Sequence, residues 1–479
     1  MSKTFLIAKD ELRLMARNRV AVIAFILLVL LTLVAVANSW SQQQSVSELR
    51  ARHAAEAQTA FEAQPDRHPH RVVHYGTFIF RPLSPLAAFD PGVDAFTGNS
   101  MFLEGHRQNT ANFGDVRQSS ILVRFGQLTP AFVLQVVAPL LLIFLGYGVL
   151  ARETERGTVR LLMLQGASRG QIVLGKALAL GLVAVLAGLP AMIGFALIAG
   201  QPGASLLPML TIALGYLAYL ALWVVIIVLL STVARRSRDA LLGLVAVWAV
   251  LVVLAPRIAP DIASAATPLQ NRLQTDIAIA SDLRGMGDSH NPDDPHFAAF
   301  KQSVLDRYGV TRVEDLPVNY QGVLGMEGER LTSQLFDQYA EASYGAQERQ
   351  NRLVNAVGVV SPAIAIRSLS MAAAGTDFAA HRRFLEQAED YRYGLVQRLN
   401  RLQAEAVSYA DDTAEDPDAD RRSRVSASNW QSAPAFSFQP PSGAELARGA
   451  LPGLGLILVW LALAGTLLAL GVRRLGARA

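Results

Sequence analysis

Residues 153–176 read ETERGTVRLLMLQGASRGQIVLGK, and the rest of the chain is organised around them. The stretch is too charged to enter lipid and has a long apolar run on each side, so it is a short connection between two membrane spans. Leu161, Leu162 and Leu164 form one amphipathic turn, Gly166 breaks it, and Ser168 is placed to cap whatever begins next. A polar helix with a basic rim, held between two spans, suits contact with a soluble partner.

Working outward, residues 1–19 predict an amphipathic helix at the membrane surface, with Phe5, Ala8, Leu12 and Met15 at helical spacing. Charge-poor runs of about the ~20 residues that a bilayer core requires follow. They lie at 20–38, 130–150, 172–199, 206–233, 238–255 and 450–472. Pro139 predicts a kink in the second. The basic groups Arg13/Arg17/Arg19, Arg152/Arg156/Arg160, Arg235/Arg236/Arg238 and Arg473/Arg474/Arg478 all fall on one side of a six-span arrangement. By the positive-inside rule both termini are cytoplasmic, with a short tail at 473–479.

Composition agrees with a membrane protein. Charged residues make up 17% of the chain, against about 25% in soluble domains. The net charge of +4 does not point to nucleic acid, because the arginines cluster at span ends, where the anionic leaflet explains them. The absence of cysteine excludes disulfide frameworks, thiolate metal sites and cysteine nucleophiles. The first apolar run is too long for a signal-peptide core and is expected to stay as a span.

Two excursions interrupt the spans. Residues 39–129 open with an Ala/Glu/Gln/Arg-rich helical stretch, turn at Pro65 and Pro69, and then predict a strand over 72–80. Residues 256–449 are helical in pattern. Phe384, Ala388, Tyr391, Leu395, Leu399, Leu402 and Ala406 predict one long helix with a buried stripe, and Leu331, Leu335 and Tyr339 begin another. Residues 361–377 are apolar enough to pack on the membrane face or on a neighbour, but Arg367 and the short apolar run argue against a further span. Residues 411–424 read as a charged loop and 433–443 as a linker.

The pattern ERGT at 155–158, the leucine-rich turn, SR at 168–169 and GK at 175–176 resemble the coupling helix of type-2 ABC exporter permeases. HYG at 74–76, PLSPL at 82–86, FDPGVD at 89–94, FLEGHRQN at 102–109 and SPAIAIRSLSMAAAGTD at 361–377 resemble a subgroup with a large outer domain of unknown function. The resemblance implies a mainly α membrane protein. It would have six transmembrane helices, an N-terminal elbow helix, and two extracytoplasmic insertions, the first α+β and the second helical, forming one lobe. It implies that Glu153, Glu155, Arg156, Gly157, Thr158, Arg160, Gln165, Ser168 and Arg169 form the surface that meets an ABC ATPase subunit. ATP and magnesium would belong to that partner, and this chain would carry no cofactor and no catalytic residue. A second permease copy, identical or related, membrane lipid and a cell inner membrane location are implied as well. The large outer insertions depart from the plain family pattern. They motivate an alternative in which ATP-driven motion acts on an extracytoplasmic protein partner and nothing crosses the membrane. A receptor or scaffold without an ATPase is a third reading.

The remaining candidates are weaker. Residues 170–177 approach a phosphate loop, but Ala177 replaces the magnesium-binding hydroxyl and the stretch enters a membrane helix, so nucleotide binding by this chain is not expected. The spans hold essentially no ionisable residue, which counts against an ion-coupled carrier. His68, His70, His74 and His106 could ligate zinc or copper. Read as surface histidines beside Pro69, with His74 capping a strand, they carry no assigned metal site. Asp90, Asp94 and Glu104 could attract a cation, yet DPGVD is the ordinary sequence of a turn whose first Asp bonds the following backbone.

Overall fold

The structure, a computed structural model, describes residues 2–112, 127–287 and 294–475. Among them six helices are long and apolar enough to cross a membrane, and the chain is a multi-pass membrane protein. The end of the tail, including Arg478, and residues 113–126 of the first insertion lie outside the described residues.

Helix α1 (Lys3–Arg17) buries Ala8 and Met15 and leaves Phe5, Leu6 and Leu14 exposed. Asn18 separates it from α2 (Arg19–Glu62), and its side chain accepts a hydrogen bond from the Val20 amide at 3.1 Å. The 44 residues of α2 reach roughly 66 Å, about twice the ~30 Å hydrocarbon core. The helix therefore does not stop with the expected span at 38. Residues 39–62 continue it because they are rich in helix formers and hold no Gly or Pro.

The strand expected over 72–80 is half helix. Pro69 occupies the first turn of α3 (Pro69–Tyr75), and the His68 ring accepts from the His70 amide at 3.1 Å. This cap, with the preset φ of proline, overrides the β preference of Val72 and Val73. Gly76 ends α3, and β1 (Thr77–Phe80) pairs antiparallel with β2 (Ser100–Leu103), Thr77 opposite Leu103.

The second span runs from Pro130 through a π-helical turn (Val133–Val137) into α4 (Ala138–Gly146), so a widened turn precedes Pro139, the residue at which a kink is expected. After α5 (Ala151–Glu155), α6 (Thr158–Leu164), α7 (Arg169–Ala199) and α8 (Leu206–Val233), the fifth span repeats the device. There α9 (Ser237–Trp248) passes through a π-helical turn (Ala249–Leu254) into α10 (Ala255–Ala266), beyond the expected end at 255. Each π turn ends two residues before a proline, Pro139 and Pro256, whose missing N–H leaves carbonyls without a helical partner. Side chains from other elements satisfy them. Tyr219 Oη donates to the Gln135 carbonyl at 2.8 Å, Trp248 Nε1 to that of Val136 at 3.1 Å, and Ser361 Oγ to that of Leu251 at 2.5 Å.

The second insertion supplies α11 (Arg272–Met286), α12 (Pro295–Tyr308), α13 (Tyr320–Ala356), α14 (Pro362–Ala374) and α15 (Phe378–Ala406). Helix α16 (Gly443–Leu475) is the last span. The 13 residues of α14 are too few to cross a bilayer. Instead the helix is wedged between α8 and α16 and shares the core of the spans through Ile366, Leu369 and Ala373. Glycine permits that approach: a Cβ on Gly215 of α8 would lie 2.6 Å from Leu369 Cδ1, and one on Gly453 of α16 2.7 Å from the Ala365 carbonyl oxygen.

The two insertions form one lobe around shared cores. Phe61 of α2 and Val72 and Val73 of α3 pack with Val396 and Leu399 of α15 and with Trp430. Ile79, Met101 and Leu103 of the hairpin pack on Phe384 and Ala388. The stripe read for α15 is partly apolar, with Phe384, Ala388 and Leu399 buried, but Glu389, Arg392, Asn400 and Gln403 are buried too.

Candidate functional sites at the two ends

The connecting stretch is built as two short helices bracketed by glycines. Gly157 (φ 72°) separates α5 from α6 and Gly166 (φ 80°) ends α6, both in the left-handed region where a Cβ is strained. A capping box then starts α7. Ser168 Oγ accepts from the Gln171 amide at 3.2 Å, and Gln171 Oε1 accepts from the Ser168 amide at 2.9 Å. The amphipathic turn divides in an informative way. Val159 is fully buried and Leu162 packs against the core, whereas Leu161 is 57% and Leu164 77% exposed.

Polar ties hold this segment to the bundle. Lys176, 4% exposed inside α7, lies 2.5 Å from Glu11 of α1 and 3.0 Å from Glu153 of α5. Thr158 Oγ1 donates to the Glu153 carboxylate and, at 3.2 Å, to its carbonyl. Lys3 Nζ donates to the Gly166 carbonyl at 2.7 Å and that of Gln165 at 3.2 Å. The Glu155 carboxylate accepts from the Ser237 amide (3.1 Å) and hydroxyl (2.9 Å), bracing the start of α9, and Arg169 donates to the Arg473 carbonyl at 2.9 Å.

Of the nine residues expected on a docking surface, Glu153, Glu155, Thr158, Ser168 and Arg169 make bonds or caps within the chain, and Glu155, Ser168 and Arg169 are exposed as well. Arg156, Gly157, Arg160 and Gln165 are exposed. Sequence reading missed the Lys176 triad and treated the spans as free of charge. Lys176 lies less than three turns inside α7, and a buried lysine needs carboxylates to balance it. A cavity of about 540 Å³ opens between α1 and α6, lined by Leu6, Ile7, Asp10, Glu153, Leu161 and Lys176 among others.

The lobe holds the second cluster, where the four histidines part company. The His68 ring nitrogen Nε2 lies 2.8 Å from Asp412, whose carboxylate also accepts from Asn319 (2.7 Å) and Gln403 (2.8 Å). Burial pushes the Asp412 carboxyl up, but the hydrogen bonds from His68, Gln403 and Asn319 outweigh it and hold the group below the usual carboxylate range. His70 and His74, one turn apart on α3, have their Nε2 atoms 3.0 Å apart. The expected strand cap at His74 therefore does not occur. The His106 ring lies 5.6 and 5.4 Å from theirs, centroid to centroid. Its backbone has φ 58°, the one positive value on a non-glycine residue among those described.

Glu329 fixes His106. One carboxylate oxygen accepts from the His106 amide at 2.9 Å and lies 3.2 Å from its Nδ1. The other lies 2.6 Å from Arg392, which is 1% exposed and also bonds Glu389 at 2.6 Å and Ser333 at 2.7 Å. Burial raises both carboxyls. For Glu329 the bonds from His106 and Arg392 outweigh it and hold the group low, whereas Glu389 stays raised. Asp90, Asp94 and Glu104 do not converge. Asp90 accepts from the Gly92 amide at 3.0 Å as the turn requires, Asp94 pairs with Arg81 at 2.9 Å, and Glu104 accepts from Asn109 at 3.1 Å.

With this geometry in hand, similarity to known proteins is narrow. A domain family of unknown function, DUF3526, matches residues 272–439, about a third of the chain. No curated protein matches. What is similar to a family is therefore the helical half of the lobe from α11 to α15, with Glu329, Glu389 and Arg392 inside it.

Proposed function

We propose that this chain is the transmembrane permease subunit of an ATP-driven transporter of the ABC exporter type, and that a separate ATPase subunit docks on α6. The observation that carries this reading is the division of α6. Leu161 and Leu164 stand exposed beside Arg156 and Arg160 at the end of the bundle, while Val159 is buried and Thr158 bonds Glu153 of α5, which meets Lys176 of α7 and, through it, Glu11 of α1. An exposed apolar pair with a basic rim is a surface to be covered, and rigid ties behind it deliver a push to the bundle. In this reading the basic end is cytoplasmic, the membrane is a cell inner membrane, and ATP and magnesium are held by the partner. The fifth and sixth spans bury little of their apolar surface within the chain, which leaves room for lipid and a second permease copy. A cavity of about 420 Å³ at the lobe end, lined by Phe96, Phe132, Gln135, Val252, Arg257 and Arg367 among others, is a starting point for a substrate path.

Two observations favour a mechanical role for the lobe in the same complex. Helix α2 passes from bundle to lobe without a break, and α14, seated in the span core, is followed after three residues by α15 of the lobe. Rocking of the bundle would move the lobe, and an extracytoplasmic protein partner could receive that motion. Because the chain has no cysteine, a single Leu164→Cys substitution with a cleavable cross-linker in native membranes tests the docking site. An adduct containing a nucleotide-binding chain is expected; adducts with lipid or unrelated proteins alone would overturn it.

A further inference from the structure

His70, His74 and His106 are brought together from two distant parts of the lobe, with one ring nitrogen from each lying within 4.8 Å of the others. Tetrahedral zinc, with Zn–N bonds of about 2.0–2.1 Å, sets its nitrogens about 3.3 Å apart. The His70–His74 separation is already 3.0 Å, and the third nitrogen needs to close by at most about 1.5 Å. A hydrogen bond between His70 and His74 would account for their own spacing. It would not account for His106, whose Nε2 is buried without a hydrogen-bond partner among the described residues, an arrangement that costs about 1–3 kcal/mol.

The opposite side of the His106 ring gives the reason. Nδ1 is held by Glu329, itself locked by Arg392, which fixes the ring so that Nε2 is left to accept. A carboxylate behind a histidine is the outer support that metal-ligating imidazoles carry. The left-handed backbone of His106 is the conformation that delivers the ring to this place.

We propose that His70, His74 and His106 form a binding site for a divalent first-row cation of the zinc or copper(II) type, with Glu329 as positioning residue. Imidazole-only ligation suits those ions and not calcium or magnesium. Three protein nitrogens leave a fourth position open at the exposed His74 side, so the ion would be exchangeable and able to take a further ligand. This proposal is independent of the transport reading.

The test is a zinc titration of the full chain, stripped with chelator in detergent, with the visible spectrum of bound cobalt(II) reporting coordination. A single equivalent should bind, with a four-coordinate cobalt spectrum. His74→Gln and His106→Gln should each weaken binding on the order of 100-fold, at or above the upper range for loss of an outer partner. His53→Gln, an exposed residue of α2 whose ring is engaged with Glu56, should leave it unchanged. Wild type binding no more tightly than His74→Gln would overturn the site, as would an equal loss in His53→Gln. His74 is exposed, so its variant keeps the fold and decides the matter even if His106→Gln disturbs the lobe.

Discussion

Two ion triads of the same composition, one cation between two carboxylates, sit at opposite ends of this molecule. At the basic end Lys176 joins Glu11 and Glu153, one from each of α1 and α5. In the lobe Arg392 joins Glu389, three residues away on its own helix, and Glu329 on α13. The arginine fork is bidentate to Glu389 and sealed from water, which suits a fixed scaffold. Lysine makes two single contacts, and Glu153 is half-buried and lies beside an exposed surface. The same charge pattern clamps a core in one place and ties a surface element to a bundle in the other.

The sharpest way to break the comparison is Arg392→Met. It strands two buried carboxylates, and loss of one partner in such a group costs about 3–5 kcal/mol. Thermal unfolding in detergent should show a separate, earlier transition for the lobe. Replacing the carboxylates as well, with Glu329→Gln and Glu389→Gln, should recover much of the loss. A single variant as stable as wild type would remove the clamp from the account.

Acid should separate the two ends next. Burial, aided by Arg81, pushes the His381 imidazole down to about 4. The unfolded chain takes up a proton below about pH 6.5 that the folded lobe refuses, so this contribution is complete above that pH and is lost as the pH falls toward 4. The loss amounts to about 3 kcal/mol, and His381→Leu should flatten the stability curve over that window. Retention of the full pH slope in the variant would contradict it.

Lys176→Met should cost less, about 2 kcal/mol, because it strands one buried carboxylate, Glu11, while Glu153 reaches water. The expected readout is local. Trypsin should cut at Arg13 and Arg17 faster as α1 leaves the bundle, while the lobe transition stays in place. Unchanged cleavage would mean that packing of α1 on α7, not the triad, holds α1 in place.

How much of this was legible in the sequence differs by region. The spans followed from the length of apolar runs, and the break at Gly166 and the cap at Ser168 from local chemistry that the structure repeats. Residues from both insertions pack together in two small cores, which no local pattern in the sequence specifies. The second half of α3 was read as strand because Val72 and Val73 favour strand on their own, whereas a cap and a proline in the first turn decide for helix. Arg392 and Lys176 were missed because a charge within an amphipathic or apolar run reads as a solvated or marginal position until its partner, here far along the chain, is known. His106 lies more than 30 residues from His74, and its approach depends on a left-handed turn that no spacing announces.

The proposed docking surface on α6 is decided by purifying the detergent-solubilised chain from its native host, as wild type and as the double variant Arg160→Glu, Leu164→Asp, with ATPase activity assayed on both. Both positions are exposed, so the variant should match wild type in thermal stability. A nucleotide-binding subunit and its ATPase activity should accompany wild type and be lost with the variant. Equal recovery of the subunit with both forms, or an ATPase with neither, would contradict that expectation.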